Sequence, residues 1–433
     1  MSDRPVFAVP DENLVPVHDY PLHQTDIPPS RMFLIKKGLN VYREKMGGGQ
    51  VETYDASQGD GGASLPGVPL EILDRAHSLQ REHGTSYDSP HGTPRFWQAV
   101  AGPYWGLAPA TGWGPDNVAA VQGGRDGLLK VYQAMVHLGT GRVGDVLLTS
   151  AVPWISYNWG PYAVGMNVLR APGDPADGWR ITPEAIAESV AFCRRQGGRR
   201  IAGLVITSPD NPTGHTLPLS EQIELARAAL AQGIPFVLFD WMYHWVTSGR
   251  PHDVNEVLCA FAPEDRKRLI FMDGLSKSLG ASNIRIAHVL ADAAVIKFIA
   301  SQASHGVIVS YYSQAVAIAA YEMGYAQACE SIVRPTAESR VLLRQFLSDH
   351  GFDFVIGDGY YAFVNCERWI QAGGFADSGA LGEYLAQEYG VAVVPGVHFS
   401  QAGANWIRFS YALPPEHTEK AAQRFLEGLN ALL

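Results

Sequence analysis

A chain of 433 residues with 46% hydrophobic and 18% charged side chains buries a large core and exceeds one ordinary domain, so two domains are expected. Its formal charge of -10 argues against a nucleic-acid or anionic-membrane surface, because both polyanions need clustered Lys and Arg and the sequence holds no such cluster. The four cysteines, Cys193, Cys259, Cys329 and Cys366, form no C-x-x-C pair and imply neither a disulfide framework nor a zinc site, so no metal and a reducing cytoplasm are expected.

The stretch from Met1 to Tyr20 is acidic and contains prolines, without the basic end and apolar run of a secretory signal. Residues 1–60, with many Pro and Gly and little periodicity, read as an arm plus part of a smaller unit. From about Asn117 to Ala320 short apolar runs alternate with amphipathic ones, the pattern of strands and helices winding a parallel sheet. Strands are expected at Val118 to Gln122, Asp145 to Ser150, Ile201 to Ser208, Pro235 to Asp240 and Arg268 to Asp273. Leu128, Leu129, Tyr132, Met135 and Val136 mark one helical face between them, and Ile223, Ala226 and Leu230 another. The longest apolar segment, Val307 to Tyr321, is interrupted by Ser310, Ser313 and Gln314 and is too short to span a bilayer.

Beyond it, a helical region around Ala326 to His350, interrupted at Pro335, leads to candidate strands at Phe352 to Ile356 and Tyr360 to Cys366. A helix near Ser378 to Glu388, strands at Val391 to Pro395 and Trp406 to Ala412, and a last helix from Glu416 to Leu432 complete a smaller α+β unit. The expected division is an arm with part of the small domain at 1–60, a large domain at 61–325 and a small C-terminal domain at 326–433.

In open α/β sheets ligands bind beyond the carboxyl ends of strands, which singles out the polar residues there. Gly123-Gly124-Arg125, between the first strand and a helix, offers free N–H groups, a positive dipole end and a cation to an anion such as phosphate. Alone, it is equally a plain strand-to-helix turn. The turn Pro209-Asp210-Asn211-Pro212-Thr213-Gly214 restrains the backbone and offers Asn211 to a ligand, although such steps are common loop punctuation. Asp240 emerges at a strand end with Tyr243 beside it, and could equally cap the next helix. Gly274-Leu275-Ser276-Lys277-Ser278 follows the fifth strand, with Arg285 beyond the lysine; a lysine between serines is ordinarily a solvated surface residue. Arg408, inside the alternating apolar run Trp406 to Ala412, is a cation that needs a carboxylate, from the protein or from a substrate.

Asn211-Pro-Thr-Gly214, Asp240 with Tyr243, Ser276-Lys277 with Arg285, and Arg408 in Arg-Phe-Ser-Tyr, in this order and at these spacings, resemble the class I/II aminotransferases of fold type I. The resemblance runs from about Tyr87 to the C-terminus. It implies an α/β architecture, with a mostly parallel sheet of the seven-stranded type between helices plus a smaller α+β domain, and pyridoxal 5'-phosphate as cofactor. Lys277 then holds the cofactor as a Schiff base and moves the substrate proton, and Asp240 keeps the pyridine nitrogen protonated. By the same resemblance Asn211 and Tyr243 hydrogen-bond the ring's phenolic oxygen, while Arg285, Gly123, Gly124, Arg125 and Ser276 bind the phosphate. Arg408, with Asn211, clamps the substrate α-carboxylate. Trp154, or alternatively Tyr157, takes the place of the aromatic that stacks on the ring. Tyr87 resembles the tyrosine that reaches the phosphate of a neighbouring subunit, which implies a homodimer.

Two departures from the family pattern carry expectations. Gly274 stands where a Ser or Thr often binds phosphate, shifting that duty to Ser276 and Arg125. No arginine lies between Arg285 and Arg334, where dicarboxylate-specific relatives carry their side-chain clamp, so Asp or Glu is not the expected main substrate. Trp97, Tyr104, Trp105, Tyr311 and Tyr312 are candidates to line a pocket for an apolar side chain. The expected activity is amino-group exchange between an L-amino acid and a 2-oxo acid. A lyase, oxidase or cyclase would keep the same machinery, and a binding protein on the same fold is a third reading.

Overall fold

The computed structural model describes residues 32–48, 51–140, 142–195 and 199–433, so the acidic start from Met1 to Tyr20 lies outside the described residues. Seven strands form the central sheet: β1 (Val118–Val121), β2 (Val146–Thr149), β3 (Asn167–Arg170), β4 (Ile201–Thr207), β5 (Phe236–Asp240), β6 (Leu269–Gly274) and β7 (Ala287–Ala291). Their order is β1-β7-β6-β5-β4-β2-β3, with β7 antiparallel to both neighbours and every other pair parallel. All strand residues but Thr207 are buried, as a sheet covered by helices on both faces requires. Alternation sends Leu148, Leu204, Phe239 and Phe271 into one core and Leu147, Val205, Leu238 and Ile270 into the other.

The five strands read from sequence stand within a residue or two of those bounds, but β3 and β7 escaped that reading. β3 is only Asn-Val-Leu-Arg, polar at both ends, and β7 carries a buried His288; neither gives a continuous apolar run. Leu129 leaves the helical face assigned to it and stands exposed, while Leu128, Tyr132, Met135 and Val136 are buried.

A second, four-stranded antiparallel sheet comprises β8 (Phe354–Ile356), β9 (Tyr361–Asn365), β10 (Val394–Pro395) and β11 (Trp406–Ser410), in the order β10-β11-β9-β8. Its core joins Val364, Ile407 and Phe409 to Leu343, Leu385 and Phe425 of three helices, Glu330–Asp349, Ser378–Tyr389 and Pro415–Asn430. The first of these runs through Pro335 without the expected interruption, because a proline near the helix start removes a single backbone bond. Tyr54–Asp55 pairs with Val391–Ala392, and Leu39 of the helix Met32–Lys45 packs on Ala386, so the early chain joins the C-terminal unit. Among the described residues no helix is long and apolar enough to cross a membrane; the run from Val307 falls largely in the helix Tyr311–Met323.

Candidate active site

Register builds the site. Thr207, Asp240 and Met272 are paired across β4, β5 and β6 near their carboxyl ends, so all three side chains leave the same face of the sheet, and all three line one cleft of about 300 Å³. The turns that follow these strands add Asn211, Met242, Tyr243, Ser276 and Lys277 to its lining. Gly124 and Arg125 join from the start of the helix Gly124–Ala134, Trp154 and Tyr157 from the loop after β2, and Ser282 and Arg285 from the chain before β7. Asp273, one residue beyond Met272, faces the opposite side and takes hydrogen bonds from Tyr104, at the shortest contact, and from the Gly274 N–H at 2.6 Å.

Asp240 is buried, and burial pushes its carboxyl up to about 6 from an ordinary 3.8. It accepts hydrogen bonds from the Tyr157 hydroxyl at 2.6 Å and the Met242 N–H at 3.2 Å, and these oppose that rise. Thr207 in turn donates to the Tyr157 oxygen at 3.1 Å, so the carboxylate is held at the end of a short chain of hydroxyls.

Lys277 is half-buried, one side open to the cleft, and its amine is lowered to about 8 from 10.5. Desolvation is the main cause; Arg408 and Arg125 push the same way, against Asp60 and Asp240. The amine donates to the Gly59 carbonyl and lies 5.7 Å from the Tyr243 ring centroid, and the Tyr360 hydroxyl donates to the Lys277 carbonyl.

Anions have a ready seat beside it. Gly123 caps the helix with φ 78°, and a Cβ there would meet Arg285 Nη2 at 2.5 Å, so only glycine admits the arginine this close. Arg285 itself is left-handed, with φ 59°, and donates to Ser282 O at 2.7 Å and Gln122 O at 3.3 Å. Arg125 lies 5.5 Å from the Trp154 ring centroid, and its guanidinium is held below its usual range by desolvation and then by Arg285. Two cations, free helix N–H groups and Ser276 form a set able to hold a dianion.

Arg408 is buried on β11. It donates to Asn211 Oδ1 at 2.8 Å and to Ser57 O at 2.7 Å, while its Nε is buried without a partner. Among the described residues it forms no ion pair with a carboxylate, so none of their side chains is the partner that the sequence reading asked for.

The structure thus brings Gly124, Arg125, Trp154, Asn211, Asp240, Tyr243, Ser276, Lys277 and Arg285 into one cleft, with Gly123 and Arg408 immediately behind it. Tyr87 does not line it and stands 95% exposed. The expected aromatic pocket does not form there: Trp97, Tyr104, Trp105, Tyr311 and Tyr312 all pack in or against the core that includes Phe239 and Phe271, because they lie on the sheet face away from Asp240. Gly274 lacks a side chain for a steric reason, since a Cβ would come within 2.7 Å of Ala287 on the adjacent strand. Sequence reading missed Thr207, Ser282, Gly59 and Tyr361, and it gave Tyr157 a ring-stacking role with no hint of its bond to Asp240. Of these only Thr207, at a strand's carboxyl end, carried a local signal. No cluster of three or more His, Cys, Asp or Glu among the described residues is arranged to hold a metal.

Known proteins resemble this chain in sequence and in fold. The family model for aminotransferase class I and II matches residues 57–425. The aspartate aminotransferase of Geobacillus stearothermophilus is 26% identical over 371 residues, covering 84% of this chain and 88% of that protein. The aspartate/prephenate aminotransferase of Thermus thermophilus is 25% identical over 374 residues, again covering 84% and 88%. An aminotransferase structure from Mycobacterium tuberculosis superposes with a TM-score of 0.80 at 22% identity, over 95% of this chain and 100% of that one. The Thermus thermophilus aspartate aminotransferase with maleate gives 0.77 at 24% identity, over 93% and 98%. These likenesses show a common fold, and the relatives' names favour transamination over lyase, oxidase or cyclase chemistry. With the family match spanning most of the chain, this protein belongs to the class I and II aminotransferases and is a transaminase of fold type I dependent on pyridoxal 5'-phosphate.

Proposed function

We propose that Lys277 is the residue that binds the cofactor covalently and shuttles the proton when an amino group passes between an L-amino acid and a 2-oxo acid. The observation that carries this reading is the sharing of one cleft by a lysine lowered to about 8, a buried carboxylate and two guanidinium groups. That donor set fits the cofactor, which combines an aldehyde, a pyridine nitrogen and a phosphate. Bound, pyridoxal phosphate supplies a carbonyl for amine exchange and an electron-poor ring that accepts the electron pair left at the substrate Cα.

The chain's own residues take the following roles in this reading. Gly123, Gly124, Arg125, Ser276 and Arg285 hold the phosphate through N–H groups, a hydroxyl and charge. Asp240 faces the ring nitrogen as its counter-ion, and Tyr157 keeps that carboxylate oriented. Asn211 and Tyr243 bond the phenolic oxygen, and Trp154 covers the ring. Arg408, positioned by Asn211 and Ser57, takes the substrate α-carboxylate and so turns the Cα–H bond toward Lys277, whose neutral amine receives the proton. The relatives act by name on aspartate and prephenate. The lack of any arginine from 286 to 333 instead supports an amino acid without a second carboxylate. A cytoplasmic homodimer is proposed, supported by the exposure of Tyr87, which the site of a second copy would use. The domain division proposed is 61–325 and 326–433, with the end of the arm joining the latter.

Borohydride reduction of the holoenzyme should fix the cofactor on Lys277, and Lys277→Ala should lose turnover by at least about a thousandfold. Adding an amino acid without an oxo acid should convert the cofactor to its pyridoxamine form in stoichiometric yield. Attachment of cofactor to the cofactor-free protein should speed up as pH rises through about 8. A label on another lysine, or full turnover by Lys277→Ala, sinks the reading.

A further inference from the structure

Tyr361 opens β9, is 1% exposed, and was not among the residues the motifs pointed to. It touches both ends of the substrate machinery. Its hydroxyl lies 2.9 Å from the Tyr243 hydroxyl, and the Arg408 guanidinium carbon lies 4.2 Å from its ring centroid. Tyr243 belongs to the turn after β5 in the large sheet, whereas Arg408 is the register partner of Phe363 on the neighbouring strand β11. One side chain therefore joins the cofactor side of the site to the carboxylate side.

We infer that Tyr361 is a positioning residue with two separable duties: its hydroxyl orients the Tyr243 proton, and its ring face supports the Arg408 guanidinium. The inference rests on the roles proposed above for Tyr243 and Arg408. A phenol has one proton. If Tyr243 gives its proton to the cofactor's phenolic oxygen, the bond between the two tyrosines must have Tyr361 as donor and Tyr243 as acceptor. Donation into the Tyr243 oxygen makes Tyr243 a stronger donor in turn, which favours the phenolate and lowers the proton affinity of the cofactor-bound Lys277 nitrogen. The charged and titratable groups around the pair are Arg408, Lys277, Tyr360 and Asp60, and Arg408 makes both phenols better donors. The ring's duty follows from Arg408 having no carboxylate partner among the described residues: between substrates the buried cation is faced by the π-surface of Tyr361, with Phe399 at 5.3 Å.

The test compares Tyr361→Phe and Tyr361→Leu holoenzymes, following the absorbance of the Lys277-bound cofactor against pH together with kcat and KM. Tyr361→Phe keeps the ring and loses the hydroxyl, so the absorbance midpoint should rise by about half a pH unit while KM for the amino acid stays within about twofold. Tyr361→Leu should show the same rise and also raise KM by about three- to tenfold. An unchanged midpoint in Tyr361→Phe overturns the first duty, and equal KM values in the two variants overturn the second. A variant that fails to fold is recognised by circular dichroism, and Tyr361→Phe then decides against wild type alone. The wild-type enzyme separates the two levels of argument: without a titrating Lys277-bound cofactor the site reading fails, whereas a normal wild-type titration with an unshifted Tyr361→Phe refutes only the role of Tyr361.

Discussion

In the role proposed for it, Asp240 trades stability for function. Its folded-state proton affinity, about 6, lies above the ordinary 3.8, so the cofactor-free fold binds that proton more tightly than the unfolded chain does. Its contribution is therefore most favourable below about pH 4 and is lost as pH rises through about 6, leaving a buried charge that opposes folding at neutral pH. Asp240→Asn is expected to stabilise the cofactor-free protein by about 1–3 kcal/mol at pH 7 while lowering turnover by at least about a hundredfold. Chemical denaturation of the cofactor-free variant checks this, and a loss of stability at pH 7 contradicts it. The residue was legible in sequence because it sits at the end of an apolar run, as Lys277, Asn211 and Arg408 follow or occupy such runs. Tyr361 and the bond of Tyr157 to Asp240 were not, since they depend on strand register and on contacts 118 and 83 positions away in the chain.

Among the elements, β6 and β7 illustrate what local pattern hides. β6 opens with the apolar run Leu269 to Met272 and was read directly, whereas β7 is Ala-His-Val-Leu-Ala and becomes a strand because it is clasped between β1 and β6. That pairing also explains Gly274. Its place on β6 opposite Ala287 leaves no room for the hydroxyl residue often found there in related enzymes. Gly274→Ser should consequently destabilise the protein by about 1–3 kcal/mol, visible as a lower melting temperature, and should not tighten cofactor binding. A variant that melts normally and holds its cofactor more tightly would show that β7 yields readily.

At the scale of the whole molecule, the two sheets are joined by a polar clasp at Asp358. Its carboxylate accepts from Arg340 at 2.6 Å, from Thr247 at 2.8 Å and from the Ser248 N–H at 3.1 Å, linking the helix Glu330–Asp349 to the loop just past Tyr243. Removing Arg340 leaves the half-buried Asp358 carboxylate without its counter-charge, although Thr247 and Ser248 still donate to it, so Arg340→Ala should cost about 1–3 kcal/mol, and adding Asp358→Asn should recover part of that loss. Equilibrium unfolding of the two single variants and the double variant measures the coupling. No sequence pattern announced this clasp, because its members come from three separate segments and none is unusual where it stands.

The bond from Arg408 to the Ser57 carbonyl spans 351 positions of chain. During synthesis at roughly 5–20 residues per second, Ser57 waits roughly twenty to seventy seconds before its partner is even polymerised. Nascent chains that stop short of Arg408 therefore lack this bond, and with it the support that the proposed carboxylate seat draws from Ser57.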